Sequence, residues 1–466
     1  MGTAHRVKDP NRPASAEARP PYVLVTAVLV GSMIVSQAIP WAKKAFAGDV
    51  PPLLAQLHPS VGPWLPLAIV AIAVGVVVLP SSLAWPRAAF LVTAVAIGLA
   101  ITVTLAAEAH GLAAISAPFR RPLEYYASVP LVRELGPRAY AARFPELGSR
   151  LSLHAATHGP SAVLFLWVLW KATGGSVLGV SLLVALVGVA GAVPTYAIAR
   201  AFADERGARL AMLLFVCAPG VLIYSATSMD AVFMTVMACA LAALVRFPRS
   251  AGWAVAAGAL SAIAFSFTFG AFVLAFFAIG VGALAWRDGT ATAKAALIRA
   301  CWILVGLVAG ALLLRLALGM NLFADFRAAS RANYRDPSRA RPYLYWVFAN
   351  IPAFLWVAGV VQTALLASWT RVAWRARRYG FETVLIGALA LATLSGVFLG
   401  EVDHIWLFFI PPLAAVAGMS LESLLDARRL AETGGADAGN SRYLRGVLAG
   451  SFGQALLIQL LLYTYW

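Results

Sequence analysis

Long apolar runs separated by short polar or basic punctuation make up most of the chain. A helix needs roughly 20 mostly apolar residues to cross a bilayer. Runs of that kind lie near 22–40, 63–80, 87–107, 176–199, 208–225, 229–246, 252–268, 269–287, 300–318, 343–367, 381–399, 404–422 and 446–464. They predict an all-α, polytopic transmembrane protein of about thirteen spans. One further run, residues 160–173 (PSAVLFLWVLWKAT), is apolar but too short to span, which predicts a re-entrant or interfacial helix.

Composition agrees with that pattern. Of 466 residues, 61% are hydrophobic and only 12% charged, too few polar side chains to cover a soluble protein of this size. A net charge of +16 would suggest nucleic acid in a soluble chain. Here the arginines cluster between apolar runs, so they read as topology signals and lipid head-group contacts, with no nucleic-acid partner. Cys217, Cys239 and Cys301 all lie within apolar runs, without metal-ligand spacing. Residues 1–20, mixed in charge and proline-containing, are expected to be disordered, and the run after them to be retained as a span.

Arg6, Lys8, Arg12 and Arg19 put the N-terminus in the cytoplasm of a cell-membrane protein by the positive-inside bias. Alternating from there, the basic loops at Arg200/Arg206/Arg209, Arg246/Arg249, Arg287/Lys294/Arg299, Arg371/Arg375/Arg377/Arg378 and Arg428/Arg429 also fall inside, provided 160–173 does not cross. The expected organisation is a cytoplasmic tail (1–20), three N-terminal helices (21–107), an external loop (108–159), a membrane core (160–422), a cytoplasmic loop (423–445) and a last helix (446–466). The polar stretches 108–159, Ser225–Asp230, 319–342 and Gly400–His404 then share the outer face. A loop of about 50 residues is longer than a connection requires, which makes this face the place for chemistry.

Within the long loop, Glu124 stands beside Tyr125 and Tyr126 and could serve as a general base; alternatively it is a surface acid paired with Arg120 or Arg121. Glu134 and Glu146 have Arg138 and Arg150 at helical spacing and read as surface pairs. His154 and His158 would share one face of a helix and could bind a metal or a phosphate, or one could simply cap a helix. Pro160 suits the first turn of the short helix, whose N-terminus would attract an anion. Asp230 opens an apolar helix, where an acid also complements the dipole. Arg327, Arg331, Arg335, Arg339 and Arg341, interleaved with aromatics, suit phosphate or head groups. Glu401, Asp403 and His404 form a cluster denser in ionisable groups than a connector requires.

Four landmarks, in order, resemble the GT-C superfamily of membrane glycosyltransferases, in particular its protein-mannosyltransferase-like and aminoarabinose-transferase-like bacterial members. They are LEYYASVP in the first large external loop, THGPSAVLFLW opening the short helix, RAFADERGARLAMLL followed by SATSMDAVF, and GEVDHIWLFFIPP. The resemblance covers roughly residues 108–420. It departs where Glu124 is followed by Tyr instead of a second acid, and where His404 replaces an Arg. It implies an inverting-type glycosyltransferase that moves a sugar from a polyprenyl-phosphate donor to an envelope glycan, lipid or protein at the external face. It also implies Glu124 as base, Asp230 as a second acid positioning the acceptor or a divalent metal ion, and His158 with the arginines of 327–341 as phosphate binders.

Two other classes compete: a transporter or flippase of a lipid-linked substrate, and an inactive partner in envelope assembly. A carrier would line a central path with ionisable groups, whereas an enzyme gathers its acids at one face. In a background lacking the three native cysteines, a single cysteine at Arg375 is expected to resist an impermeant thiol reagent applied from outside. Labelling from that side would invert the topology.

Overall fold

The computed structural model describes residues 19–39, 49–335, 340–431 and 436–464, and these are helical almost throughout. The expected disorder of the N-terminal tail concerns residues that lie, but for the last two, outside the described ones. Among the described residues eight helices are long and apolar enough to cross a membrane, or nine if the bent pair Tyr343–Ala358 and Val360–Arg375 counts as one span. Four further apolar helices are shorter: Tyr22–Ala38, Ser161–Ala172, Ala251–Phe267 and Phe381–Leu394. The protein is therefore an all-α, multi-pass membrane protein.

Two of the thirteen runs are broken into pieces each too short to span alone. The run 208–225 divides into Glu205–Val216 and Pro219–Tyr224, because Pro219 lacks an N–H and holds Ala218 extended. The run 343–367 turns through 112° at Gly359, whose φ of +105° is closed to most side chains. Backbone groups opened at such a break need partners, because hydrocarbon offers none. Gln454 supplies both: its Oε1 accepts from Val360 N at 2.8 Å and its Nε2 donates to Trp356 O at 2.8 Å. Beside it, Gln362 donates to Leu214 O at 3.0 Å.

The span Val402–Leu430 is the axis of the bundle, almost wholly buried against Ala192–Ala199, Glu205–Val216 and Val360–Arg375. Ala293–Leu318 lies at the other extreme, with Leu304, Val308, Leu312 and Leu316 exposed as on a lipid-facing helix. It is held through glycines: a Cβ on Gly306 would sit 2.0 Å from Val255 O, and one on Gly258 would sit 2.0 Å from Ile303 O. Such backbone approach is how membrane helices gain dispersion contacts without a hydrophobic drive.

Polar contacts sort the bundle into two ends. At one end Arg209 donates to Leu83 O and Trp85 O, Arg87 and Arg209 meet Glu205, and Arg206 meets Asp426 at 2.8 Å. Arg246 and Arg249 close on Ala197 O and Ala201 O there, and Tyr22 bonds Tyr443. The expected basic loops around 200–209 and 246–249 are thus together. At the other end lie residues 108–159, with Glu108 accepting from Gly62 N at 2.9 Å. A short antiparallel sheet, unforeseen in the sequence, pairs Ala55–Leu57 with Leu462–Thr464 beside this loop.

The short helix Ser161–Ala172 is about 18 Å long at 1.5 Å per residue, well under the bilayer core. It packs on the long loop, against Tyr125–Ser128 and Val129–Leu135, and Trp170 near its C-terminal end lies 4.5 Å from the guanidinium of Arg133. Replacing Gly306 by Leu should cost at least about 1–3 kcal/mol through overpacking. Gly446, where an added Cβ would meet nothing within 4 Å, should accept Ala without loss. Thermal unfolding of the two variants in detergent checks the contrast.

Candidate active site

Four segments far apart in sequence converge at the loop end of the bundle. Glu124 caps the turn Tyr125–Ser128 and is buried, with its carboxylate receiving no hydrogen bond among the described residues. The Nε2 of His154 lies 3.9 Å from its Oε1. Burial, and next the Asp230 carboxylate, push the Glu124 pKa up to about 7, while Arg121 and His404 pull it down. A carboxyl group poised near neutrality, with free lone pairs, can take a proton from a hydroxyl. The surface pairing with Arg120 or Arg121 is not what the structure has.

Asp230 begins the Asp230–Leu244 helix. Ser228 donates to its Oδ2 at 2.7 Å and accepts from its backbone N at 3.1 Å, a local cap that fixes the carboxylate. Asp230 lies within electrostatic reach of Glu124, His404, Glu401 and Asp403. Asp403 and His404 open the axial span and are both buried. His404 Nδ1 lies 3.4 Å from Asp403 Oδ1 and its Nε2 lies 3.9 Å from Glu401 Oε2. Tyr224 donates to Asp403 Oδ2 at 3.1 Å.

The turn that carries this cluster is strained. Glu401 adopts φ +58°, a left-handed conformation unusual for a non-glycine residue and frequent at functional sites. Arg341 holds it by an ion pair to Glu401 and a 2.9 Å bond to Leu399 O. Asn350 donates to Phe398 O at 2.8 Å and accepts from Gly400 N at 3.3 Å. Asn350 is a residue that the sequence reading misses, although a lone amide inside the apolar run YLYWVFANIPAF is a visible signal.

The two histidines part company. The helix Leu153–Thr157 stops before His158, so the rings do not share a helical face. His158 stacks on Phe233 at 5.3 Å and meets Tyr125 edge-on at 5.3 Å, while its Nδ1 bonds His154 O at 3.1 Å. Burial, then the neighbouring His154, lower its pKa to about 3, so it carries no charge to offer a phosphate. Gly159 is needed here: a Cβ would stand 2.0 Å from Ser266 O, where the chain presses flat on the end of the Ala251–Phe267 helix.

Other expected residues lie elsewhere. Arg331 and Arg335 sit exposed on the Leu322–Tyr334 helix and at its end, Arg331 bonding Arg327 O, and no contact among the described residues joins them to the acidic cluster. Arg339 lies outside the described residues. Glu134 and Glu146 are surface acids as expected, but with other partners: Glu134 meets Arg150 at 2.8 Å in place of Arg138, and Glu146 meets Arg143 at 3.3 Å. The loop folds back across itself, which spacing could not reveal. Among the described residues no group of three or more His, Cys, Asp or Glu is arranged to hold a metal ion, so the suggested divalent ion has no fitted site there.

Fold and site together define a polytopic helical membrane protein with a buried acidic site at one end of its bundle. No family model matches the chain, and no curated protein does. Among solved structures, ArnT from Cupriavidus metallidurans, determined bound to undecaprenyl phosphate, is similar at 16% identity and a TM-score of 0.48, over 80% of this chain and 78% of that one.

Between the ordinary carboxylate value of 4.5 and about 7, folded Glu124 keeps a proton that the unfolded chain loses. Stability should therefore fall as pH rises through that window. Glu124→Gln, neutral at every pH, should unfold at a higher temperature than the wild type at pH 8 and at about the same temperature at pH 5. Scanning fluorimetry at the two pH values tests this, and an equal or lower unfolding temperature for the variant at pH 8 would refute the buried, repelled carboxylate.

Proposed function

We propose that the protein is a membrane glycosyltransferase that moves a sugar from a polyprenyl-phosphate donor to an acceptor hydroxyl at the loop end of the bundle. On the arginine asymmetry we take that end to be the external face of the cell membrane. The observation that carries the reading is that Glu124 and Asp230, two acids more than 100 residues apart in sequence, come within electrostatic reach of each other at the loop end of the bundle. The order of the four sequence landmarks supports it independently.

In this reading the acceptor hydroxyl approaches Glu124, which takes its proton as the oxygen attacks the anomeric carbon. The bond from that carbon to the phosphate oxygen breaks, its electron pair stays with the phosphate, and polyprenyl phosphate leaves. Attack opposite the leaving group inverts the anomeric centre. Asp230, fixed by Ser228, faces the same space and orients the acceptor. Arg341 and Asn350 act at a distance by holding the Glu401–His404 turn in place. The envelope acceptor, whether glycan, lipid or protein, must offer a hydroxyl at this interface.

A carrier would need ionisable groups along the membrane interior. The buried polar side chains at the Gly359 break are instead neutral, Gln362, Ser451 and Gln454, and they are engaged with one another and with backbone. That favours an enzyme over a transporter.

Glu124→Gln should lower turnover at least about 100-fold, the low end of a general base's contribution, while donor binding persists. In the wild type, kcat should rise with pH and level off above about 7 as the base ionises. Turnover that survives the substitution, with the same pH profile, removes Glu124 from the chemistry.

A further inference from the structure

Beside the acidic site one arginine outside the 327–341 group makes no ion pair among the described residues and is instead held by a neutral partner. Arg341 is paired with Glu401 and has a second donor on Leu399 O. His404 stands between Asp403 and Glu401. Arg120 is exposed and acts on Tyr126. Arg121 is different. Its carbonyl accepts from Glu124 N at 3.2 Å, so the two residues bound a single turn, yet its guanidinium makes no ion pair among the described residues. One amino group, Nη2, donates to the hydroxyl of Tyr463 at 2.6 Å.

Tyr463 belongs to the strand Leu462–Thr464, and that strand is itself anchored. It pairs with Ala55–Leu57, Tyr463 standing opposite Gln56. His58 N donates to Leu461 O at 2.9 Å and Ser60 N to Leu460 O at 2.8 Å, and the His58 ring meets the Tyr463 ring edge-on. This strand therefore crosses to the long loop and fixes a guanidinium one turn from the candidate base. A neutral hydroxyl holds the side chain in place without cancelling its charge, leaving the other N–H groups for an anion.

We propose that Arg121, held by Tyr463 of the C-terminal strand, is the cation that receives the phosphate of the polyprenyl-phosphate donor. This rests on the sugar-transfer reading and adds the phosphate-binding residue and the clamp that positions it. The charge balance explains why such a cation is needed. The donor phosphate is a diester with one negative charge. When the anomeric bond breaks, its electron pair remains on the phosphate, which becomes a monoester dianion, while the acceptor's proton moves to Glu124. A fixed guanidinium beside the breaking bond stabilises the charge that develops there and so acts most strongly in the transition state. Tyr463 acts through Arg121 and is a positioning residue.

The test is binding of polyprenyl phosphate to the full-length protein in nanodiscs, with polyprenol and inorganic phosphate as competitors. Arg121→Ala should weaken binding at least about 10-fold, within the range of a lost charge-assisted hydrogen bond. Arg121→Lys should recover part of the loss. Tyr463→Phe, which keeps the ring and removes only the hydroxyl, should weaken binding about 3-fold and have no further effect in the Arg121→Ala background. Arg143→Ala, a surface control, should bind as the wild type. Unchanged affinity in Arg121→Ala, with loss in Arg331→Ala or Arg335→Ala instead, overturns the proposal and leaves sugar transfer standing. Additive losses in the Tyr463→Phe, Arg121→Ala double variant overturn the clamp. No binding by the wild type, or inorganic phosphate competing as well as the lipid, overturns the lipid-linked donor itself.

Discussion

Two carboxylates, the buried Glu124 and the half-buried Asp230, lie within electrostatic reach of each other, and the loop end of this protein is organised around that repulsion. Among the described residues neither Glu124 nor Asp230 has a salt-bridging arginine. A single arginine placed between them would relieve the strain and leave both acids inert. Instead the positive groups stand off: Arg121 is turned toward Tyr463, Arg341 is committed to Glu401, and His404 is held by Asp403 and Glu401. The result is a carboxyl group whose proton is nearly balanced at neutral pH, a state that burial and a like charge produce together.

Keeping such groups in place requires rigid supports, and the protein makes them from buried polar side chains. Asn350 and Arg341 fasten the strained turn at Glu401 by its own carbonyls and N–H groups. Gln454 does the same for the break at Gly359, at the C-terminal end of the helix that carries Asn350. In both places an amide side chain stands in for water where the backbone leaves regular structure. The helix Tyr343–Ala358 is thus tied at its middle by Asn350 and at its C-terminal end by Gln454, and it packs against the opening turn of the axial span, where Asp403 and His404 sit.

The two ends of the bundle differ in kind. One is a network of arginines closing on helix carbonyls and on a few acids, suited to stability and to anionic head groups. The other gathers aromatics, histidines and acids beneath a compact loop, against which the short helix Ser161–Ala172 packs. A lipid-linked substrate suits that division, because its tail can stay in hydrocarbon while its phosphate and sugar reach a polar site at the interface.

By itself the sequence determined the membrane class, the number of apolar runs to within a few, the shortness of 160–173 and the grouping of the basic loops. Each of these follows from local hydropathy or from charge next to it, which neighbouring residues suffice to express. It also marked Glu124, Asp230 and the Glu401–His404 turn as candidates, because ionisable residues are conspicuous in so apolar a chain. Only the tertiary structure decided how they act. It ended the helix at Thr157, so that His158 became a neutral ring packed on Phe233, and it bent the run 343–367 at Gly359. It also gave Glu134 and Glu146 partners other than the expected ones, and brought the strand Leu462–Thr464 back to Arg121. These are contacts between segments up to 342 positions apart, fixed by how helices pack and where loops return, and no local pattern encodes them.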